Sequence, residues 1–443
     1  MRLMGLILAL KLNVWMFWEK MRELAVDDPR RIFHCFKVGL ALTLVSLFYY
    51  IGPLYDGVGG TAMWGIFTVI VIFECTVGAT LSKGLNRGMA TLVAGAFGFV
   101  VYWLASHFGE KAEPVVLGIS VFFIVSAVTF LRFIPAVKTQ FDYGVLIFIL
   151  TFSLVSISGY RENKLFELAH QRLSTIAIGG FMCIVISIFI CPIWAGEELH
   201  QLITCNIEKL ADSLDGCVFE YFNESASTAD NEEPGQKSQA YTSVLINSKA
   251  TEESLAKFAQ WEPPHGRFWF WHPWKQYLKI SAAIRCCTYR VEALNGSINS
   301  EIKAPKFMKK HISDACMKLS SQFSMVLKEL ATTTKSMRRS SNIEFLVSKM
   351  NCAVEDLRNA LDSLPHQLPL PLPPPSIEAM KEKNPCIWTI NMPLTEVMPL
   401  VVVTSLLIEI AGRIQGVVDA VNELAILANF KPAVGKSKLR DNN

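Results

Sequence analysis

Apolar and polar positions are distributed unevenly along this chain. Nearly every long apolar run falls between Arg31 and Trp194, and six can be drawn there, at 32–51, 60–80, 89–108, 115–131, 143–158 and 174–194. A helix needs about 20 mostly apolar residues to cross a ~30 Å hydrocarbon core. The runs are close to that length, the fifth only when Phe141 and Gly159 are counted in. The connections are too short for independent domains, so the six helices should form one bundle. This predicts an all-α polytopic membrane protein with a six-helix transmembrane domain over 31–194.

The flanks read differently. Residues 3–18 are apolar but interrupted by Lys11 and Asn13, and no small-residue cleavage site follows, so 1–30 is expected to be a cytosolic segment with an interfacial amphipathic helix. After Ala195 the spacing of apolar residues stays helical, which predicts that the sixth span runs on as a cytosolic helix to about Phe222. Residues 223–240, rich in Ser, Thr, Asp, Glu and Pro, read as a loop. Further helices are predicted at 275–295, 306–333, 342–364 and 394–429, making 195–443 a cytosolic helical domain. The run 364–375 alternates proline with leucine, and rings that fix φ and delete donors favour a stiff extended spacer. Residues 399–411 are apolar enough to imitate a seventh span, but Glu409 and Arg413 follow closely, and a buried helix is expected.

Composition agrees with a membrane protein. The chain has 443 residues, 51% hydrophobic and 18% charged, with mean hydropathy +0.32, against roughly 25% charged in a soluble domain. Basic and acidic residues number five and four before Arg31, ten and seven from Arg31 to Trp194, and 27 and 28 afterwards. The excess positive charge therefore sits in the membrane block, and the balanced C-terminal half carries no sign of a nucleic-acid-binding face. The 11 cysteines are scattered, several in apolar runs, and suggest neither a zinc framework nor a disulfide scaffold.

Charges inside a membrane bundle cost several kcal/mol unless paired or hydrated, so each is a candidate for function. Lys83 and Arg87 are spaced i and i+4 and would share one helix face. With Arg132, Lys138, Arg161 and Arg172 they could line a route that draws anions and repels cations, with Glu74 and Asp142 as their intramembrane partners. Ordinary positive-inside flanking competes for the loop pairs Lys83 with Arg87 and Arg132 with Lys138, which would place those loops and both termini in the cytosol. It does not explain Arg161 and Arg172, which would then lie outside. No GxxxxGK[ST] loop supports ATP-driven transport, no hydrolytic motif is present, and His265 with His272 lack a third metal ligand. No cofactor is implied and no metal site is certain. Gly95 with Gly98, and Gly179 with Gly180, are expected to let helices approach closely. The segment from Gln260 to Trp274, with Trp261, Glu262 and Pro263 at its head, reads as architectural; its tryptophans offer surface for packing helices or touching the membrane interface.

Taken together, Asp28-Pro29-Arg30-Arg31, Gly59-Gly60-Thr61-Ala62-Met63-Trp64, Thr76-Val77-Gly78-Ala79-Thr80 with Asn86-Arg87-Gly88, Phe141-Asp142-Tyr143-Gly144, Pro192-Ile193-Trp194-Ala195-Gly196-Glu197 and Trp261-Glu262-Pro263 resemble the plant aluminium-activated malate transporter family of anion channels. The resemblance implies a homodimer in membrane lipid, six membrane helices per subunit, a basic conduction path and a cytosolic helical domain. It implies malate and other organic or inorganic anions as substrates, at the plasma or vacuolar membrane, with aluminium activating only some members. The short segment before the first span looks like the plasma-membrane members. If aluminium acts here, the hard oxygen ligands it requires would come from the outward acids Asp56, Glu162 and Glu167. Two other readings remain at this point: a proton-coupled organic-anion transporter using Glu74 or Asp142, and a membrane scaffold recruiting partners through the proline-rich run.

Overall fold

The computed structural model describes residues 2–52, 62–109, 112–159, 165–222, 249–300, 305–367 and 394–432, with residues 242 and 244. Two compact units are present, one formed by Met1–Ala195 with Phe258–Phe270 and the other by Gly196–Lys257 with Trp271–Asn443. The protein is an all-α polytopic membrane protein.

The first unit contains α1 (Arg2–Asp27), α2 (Pro29–Tyr50), α3 (Ala62–Ile72), α4 (Val77–Ser106), α5 (Glu113–Leu131), α6 (Pro135–Gly159) and α7 (Leu165–Phe189). Helix α1 runs nine residues past the stretch expected for it. Asp28 separates it from α2, accepting a hydrogen bond from the Arg30 amide at 3.2 Å while Pro29 occupies the first helical position, where a missing N–H costs nothing. Helices α2, α3 and α7 bury Ala41, Val45, Val69, Ile72, Cys183 and Ile186 against one another. Helices α4, α5 and α6 bury Ala94, Val101, Ala105, Leu117 and Phe152. Close approach is made at Gly98 and Gly179, where an added Cβ would meet Val155 Cγ1 at 2.7 Å and the Gly65 carbonyl oxygen at 2.9 Å; Gly95 has nothing within 4 Å and Gly180 makes only ordinary contact.

Three sequence expectations are corrected here. The run 60–80 is not one helix: α3 stops at Ile72 and α4 starts at Val77. The intervening backbone is satisfied by its surroundings, since the Val77 amide donates to the Ile193 carbonyl at 2.9 Å and the Glu74 amide to Thr80 Oγ1 at 3.1 Å, while Thr76 caps α4 through the Ala79 amide. Lys83 and Arg87 consequently lie within the 30-residue α4 and not in a loop. Likewise α6 begins at Pro135, so only residues 132–134 connect it to α5. Finally, the sixth span does not continue as one helix: the chain breaks at 190–194, where Cys191 takes φ +43° before Pro192, the α region being disfavoured ahead of a proline ring. Among the described residues of the bundle, α2, α4, α5 and α6 are long and apolar enough to cross a membrane, whereas α3 and the apolar part of α7, Leu173–Phe189, are shorter.

The second unit is built from α8 (Ala195–Phe222) beyond its first residue, most of α9 (Lys249–Ala259), α10 (Trp274–Ile298), α11 (Lys306–Ser336), α12 (Ile343–Gln367) and α13 (Leu394–Leu427). Its interior holds Ile203, Ile207, Leu210 and Leu214 of α8, Tyr277, Ile280 and Ile284 of α10, Phe323 of α11 and Leu407 of α13. A short parallel pairing, β1 (Arg338–Arg339) with β2 (Lys431–Pro432), closes the α11–α12 turn onto the end of α13. The apolar run at 399–411 belongs to this core helix as expected, within a helix long and apolar enough to imitate a span. Helix α9 has no counterpart in the sequence expectations, and the proline-rich run from residue 368 on lies outside the described residues.

Candidate functional site

The candidate site grows from the start of α4. With the helix unbroken from Val77, Lys83 and Arg87 do share a face, and packing of α4 on α6 sets Tyr143 beside both. Lys83 Nζ lies 6.0 Å from the Tyr143 ring centroid and forms an ion pair with Glu74 in the α3–α4 break. Arg87 is only 5% exposed. Its Nη1 donates to Tyr143 Oη at 3.2 Å, and its Nε has no hydrogen-bond partner among the described residues. Burying a cation without a carboxylate costs several kcal/mol, so this guanidinium sits in a place that favours an anion.

Beside it is a cavity of about 20 Å³ for the centre of a water molecule, lined by Trp64, Arg87, Thr91, Ile147, Thr151 and Ile176 among others. Thr91 Oγ1 is also buried without a partner. Arg87 and Thr91 both line this space, drawn from α3, α4, α6 and α7, which is large enough for about one water molecule. A dicarboxylate would require the lining side chains to move.

The remaining charges separate into other groups. Arg132 caps the C-terminus of α5, where a cation meets the negative end of the helix dipole, and its Nε donates to Asp142 Oδ1 of α6 at 2.8 Å. Lys138 is exposed near the start of α6, one turn before Asp142. Arg161, Asp56 and Glu162 lie outside the described residues; Glu167 and Arg172 belong to α7, with side chains outside them. Among the described residues no three His, Cys, Asp or Glu groups gather as a metal site.

Two residues escaped the sequence reading. Lys37 of α2 is 1% exposed and donates from Nζ to the Cys191 carbonyl at 2.7 Å, capping the chain where α7 ends; its signal was a lone lysine in an apolar run. Tyr143 carried no signal beyond its place next to Asp142. A third cluster lies where the sequence motifs meet. Glu262 Oε1 accepts the Ala195 amide at 2.6 Å, at the first residue of α8, and His265 stacks on Trp194 with centroids 3.8 Å apart. Gly78 permits this, since a Cβ there would stand 2.2 Å from the Phe258 carbonyl oxygen. Trp261 is partly exposed and Pro263 partly buried beside Glu262.

The bundle turns apolar side chains outward and buries Lys37, Arg87 and several hydroxyls, an arrangement that suits a membrane transport protein. The profile of the family described as "Aluminium activated malate transporter" matches residues 22–384, and the chain belongs to that family. Aluminum-activated malate transporter 10 of Arabidopsis thaliana is 52% identical over 442 residues, covering 96% of this chain and 88% of the relative. Aluminum-activated malate transporter 2 of the same plant is 43% identical, covering 94% and 79%. Aluminum-activated malate transporter 1 of Triticum aestivum is 42% identical, covering 94% and 86%.

Proposed function

We propose that this protein is a channel through which malate, and other small organic or inorganic anions, pass down their gradient across a plant membrane. The observation that carries the reading is Arg87, a buried cation with an unpartnered Nε, which lines a small cavity together with Thr91. A carboxylate reaching the Arg87 guanidinium meets a buried positive charge without a carboxylate of its own, and a charge-assisted hydrogen bond is worth about 1.5–3 kcal/mol. Lys83, Arg132 and Lys138, and from the sequence Arg161 and Arg172, are the further basic residues assigned to the route. The carboxylates that a proton-coupled carrier would use, Glu74 and Asp142, are engaged by Lys83 and Arg132, which favours passive flow. The plasma membrane, a homodimeric assembly, 31–194 as the conducting domain and 195–443 as cytosolic complete the reading.

Reversal potentials of the purified chain in liposomes, with malate as the sole permeant anion, test it. They should follow the malate gradient and ignore an imposed pH gradient; tracking pH would establish coupling, and silence would leave the scaffold. Arg87→Gln should lower malate current about tenfold to a hundredfold at equal protein, and unchanged current would remove Arg87 from the route. The relatives' names support activation by external aluminium; Asp56→Asn, Glu162→Gln and Glu167→Gln should each weaken such a rise in current.

A further inference from the structure

Three consecutive aromatic residues stand out from the protein surface. Trp269 is 82% exposed, Phe270 67% and Trp271 95%. They are held in place and not trailing: His265 and Phe268 exchange backbone hydrogen bonds at 3.2 and 3.0 Å around a tight turn, with Gly266 at φ +54° supplying the left-handed residue. Phe268 is itself buried. Such a patch of rings facing water marks an interaction surface.

Its level in the first unit identifies the partner. Phe258–Phe270, which carries Trp269 and Phe270 and ends one residue before Trp271, groups with the membrane helices, and it is fastened at Gly78 in the first turn of α4, at Trp194 five residues past the end of α7, and at Ala195. Gly78 stands at the start of α4, a candidate span, and Trp194 just past the shorter apolar helix α7, and the ends of membrane helices are where tryptophan is enriched because its ring favours the headgroup boundary. Charge agrees as well. Arg267 and Lys275, each exposed, flank the rings in sequence, and no acid occurs between Pro263 and Val291, a sign suited to anionic headgroups.

We propose that Trp269, Phe270 and Trp271 form an aromatic tongue that inserts into the interfacial layer of the bilayer beside the bundle. The tongue fixes the height of the Glu262 loop relative to the lipid, a role separate from conduction, so it stands or falls independently of the malate reading.

The test compares the full chain with Trp269→Phe/Trp271→Phe, in lipid discs of phosphatidylcholine and phosphatidylserine. Phenylalanine keeps the apolar contact and leaves the fold undisturbed, so the variant serves as a spectroscopic blank. The difference emission belongs to the two tryptophans. It should be blue-shifted, lost when the lipid carries bromine on the upper acyl chain, and spared by aqueous iodide. Quenching by iodide alone would place the rings in water and overturn the proposal. Protection from both quenchers would mean that protein, such as a second copy of the chain, covers them, which overturns it equally.

Discussion

Helices α5 and α13 are each apolar enough to cross a membrane, yet 6% of the apolar stretch of α5 is buried against protein and 39% of that of α13. Helix α5 turns Phe122, Phe123 and Phe130 outward and buries only Leu117. Helix α13 buries Leu400, Val403, Leu407, Ile410, Ile414, Val417, Val421 and Leu424, a stripe whose spacing alternates three and four and so lies along one side. Its other side carries Glu409 and Glu423, which meet Arg290 and Lys279, each at 2.9 Å. Helix α5 has no charged residue after Glu113. Total hydropathy therefore separates neither helix from the other; the presence of a polar face does. A helix apolar all round has lipid as its solvent, and outward aromatic rings there carry no hydrophobic penalty.

The widest gap between the two environments should come from core truncation. Leu407→Ala is expected to cost about 2–5 kcal/mol, while Phe122→Ala stays within about 0.5 kcal/mol, both read from thermal unfolding of the full chain in detergent. Equal costs would break the comparison. Charge insertion reverses the order: Phe122→Arg, at the middle of α5, should cost about 2.5–3.5 kcal/mol of membrane insertion, whereas Ile426→Arg on the exposed side of α13 should be tolerated. The yield of membrane-inserted protein measures both.

Acid should act on the second unit. Burial, helped by nearby His200, lowers His272 from 6.5 to about 4, and the ring is held by Tyr277 Oη at 3.1 Å. As pH falls through 6.5 the unfolded chain takes a proton that the folded one refuses until about 4. Stability is thus fully present above 6.5 and is lost on the way down, by about 2 kcal/mol between pH 7 and 5. Unfolding at the two pH values should show this loss shrinking in His272→Gln. A more modest loss is expected at the Glu262 loop of the first unit: Glu262→Ala removes the acceptor for the Ala195 amide and should cost about 0.5–2 kcal/mol, with Glu262→Gln recovering most of it in the same assay.

Regions with strong periodicity were legible. The helices expected at 275–295, 306–333, 342–364 and 394–429 emerge as α10 to α13 with ends displaced by a few residues, because a one-sided apolar stripe records its own secondary structure. Helix α9 was not, since its polar sequence places only Leu255, Ala256 and Ala259, among its apolar residues, in the interior, beside the buried Glu252. The break between α3 and α4 left no local mark, for Phe73, Glu74, Cys75 and Thr76 include neither proline nor glycine; it exists because Ile193 and Thr80 receive the freed backbone groups. Pro192 marked the second break, yet the sequence expectation ran the sixth span straight through it. At the site, the i, i+4 pairing of Lys83 and Arg87 could be read directly. Their division could not: Lys83 has Glu74, while Arg87 has Tyr143 and an unpartnered nitrogen.

By itself the sequence determined that this is a helical membrane protein of the aluminium activated malate transporter family, with its positive charge concentrated in the bundle. Composition, run length and motif carry that information because lipid rewards apolar surface whatever its neighbours. Only the tertiary structure decided where the helices break, which cations find carboxylates, and which one stays buried with free donors. Those outcomes depend on hydrogen-bond partners as far apart as Val77 and Ile193, or Arg87 and Tyr143, and no local pattern encodes them.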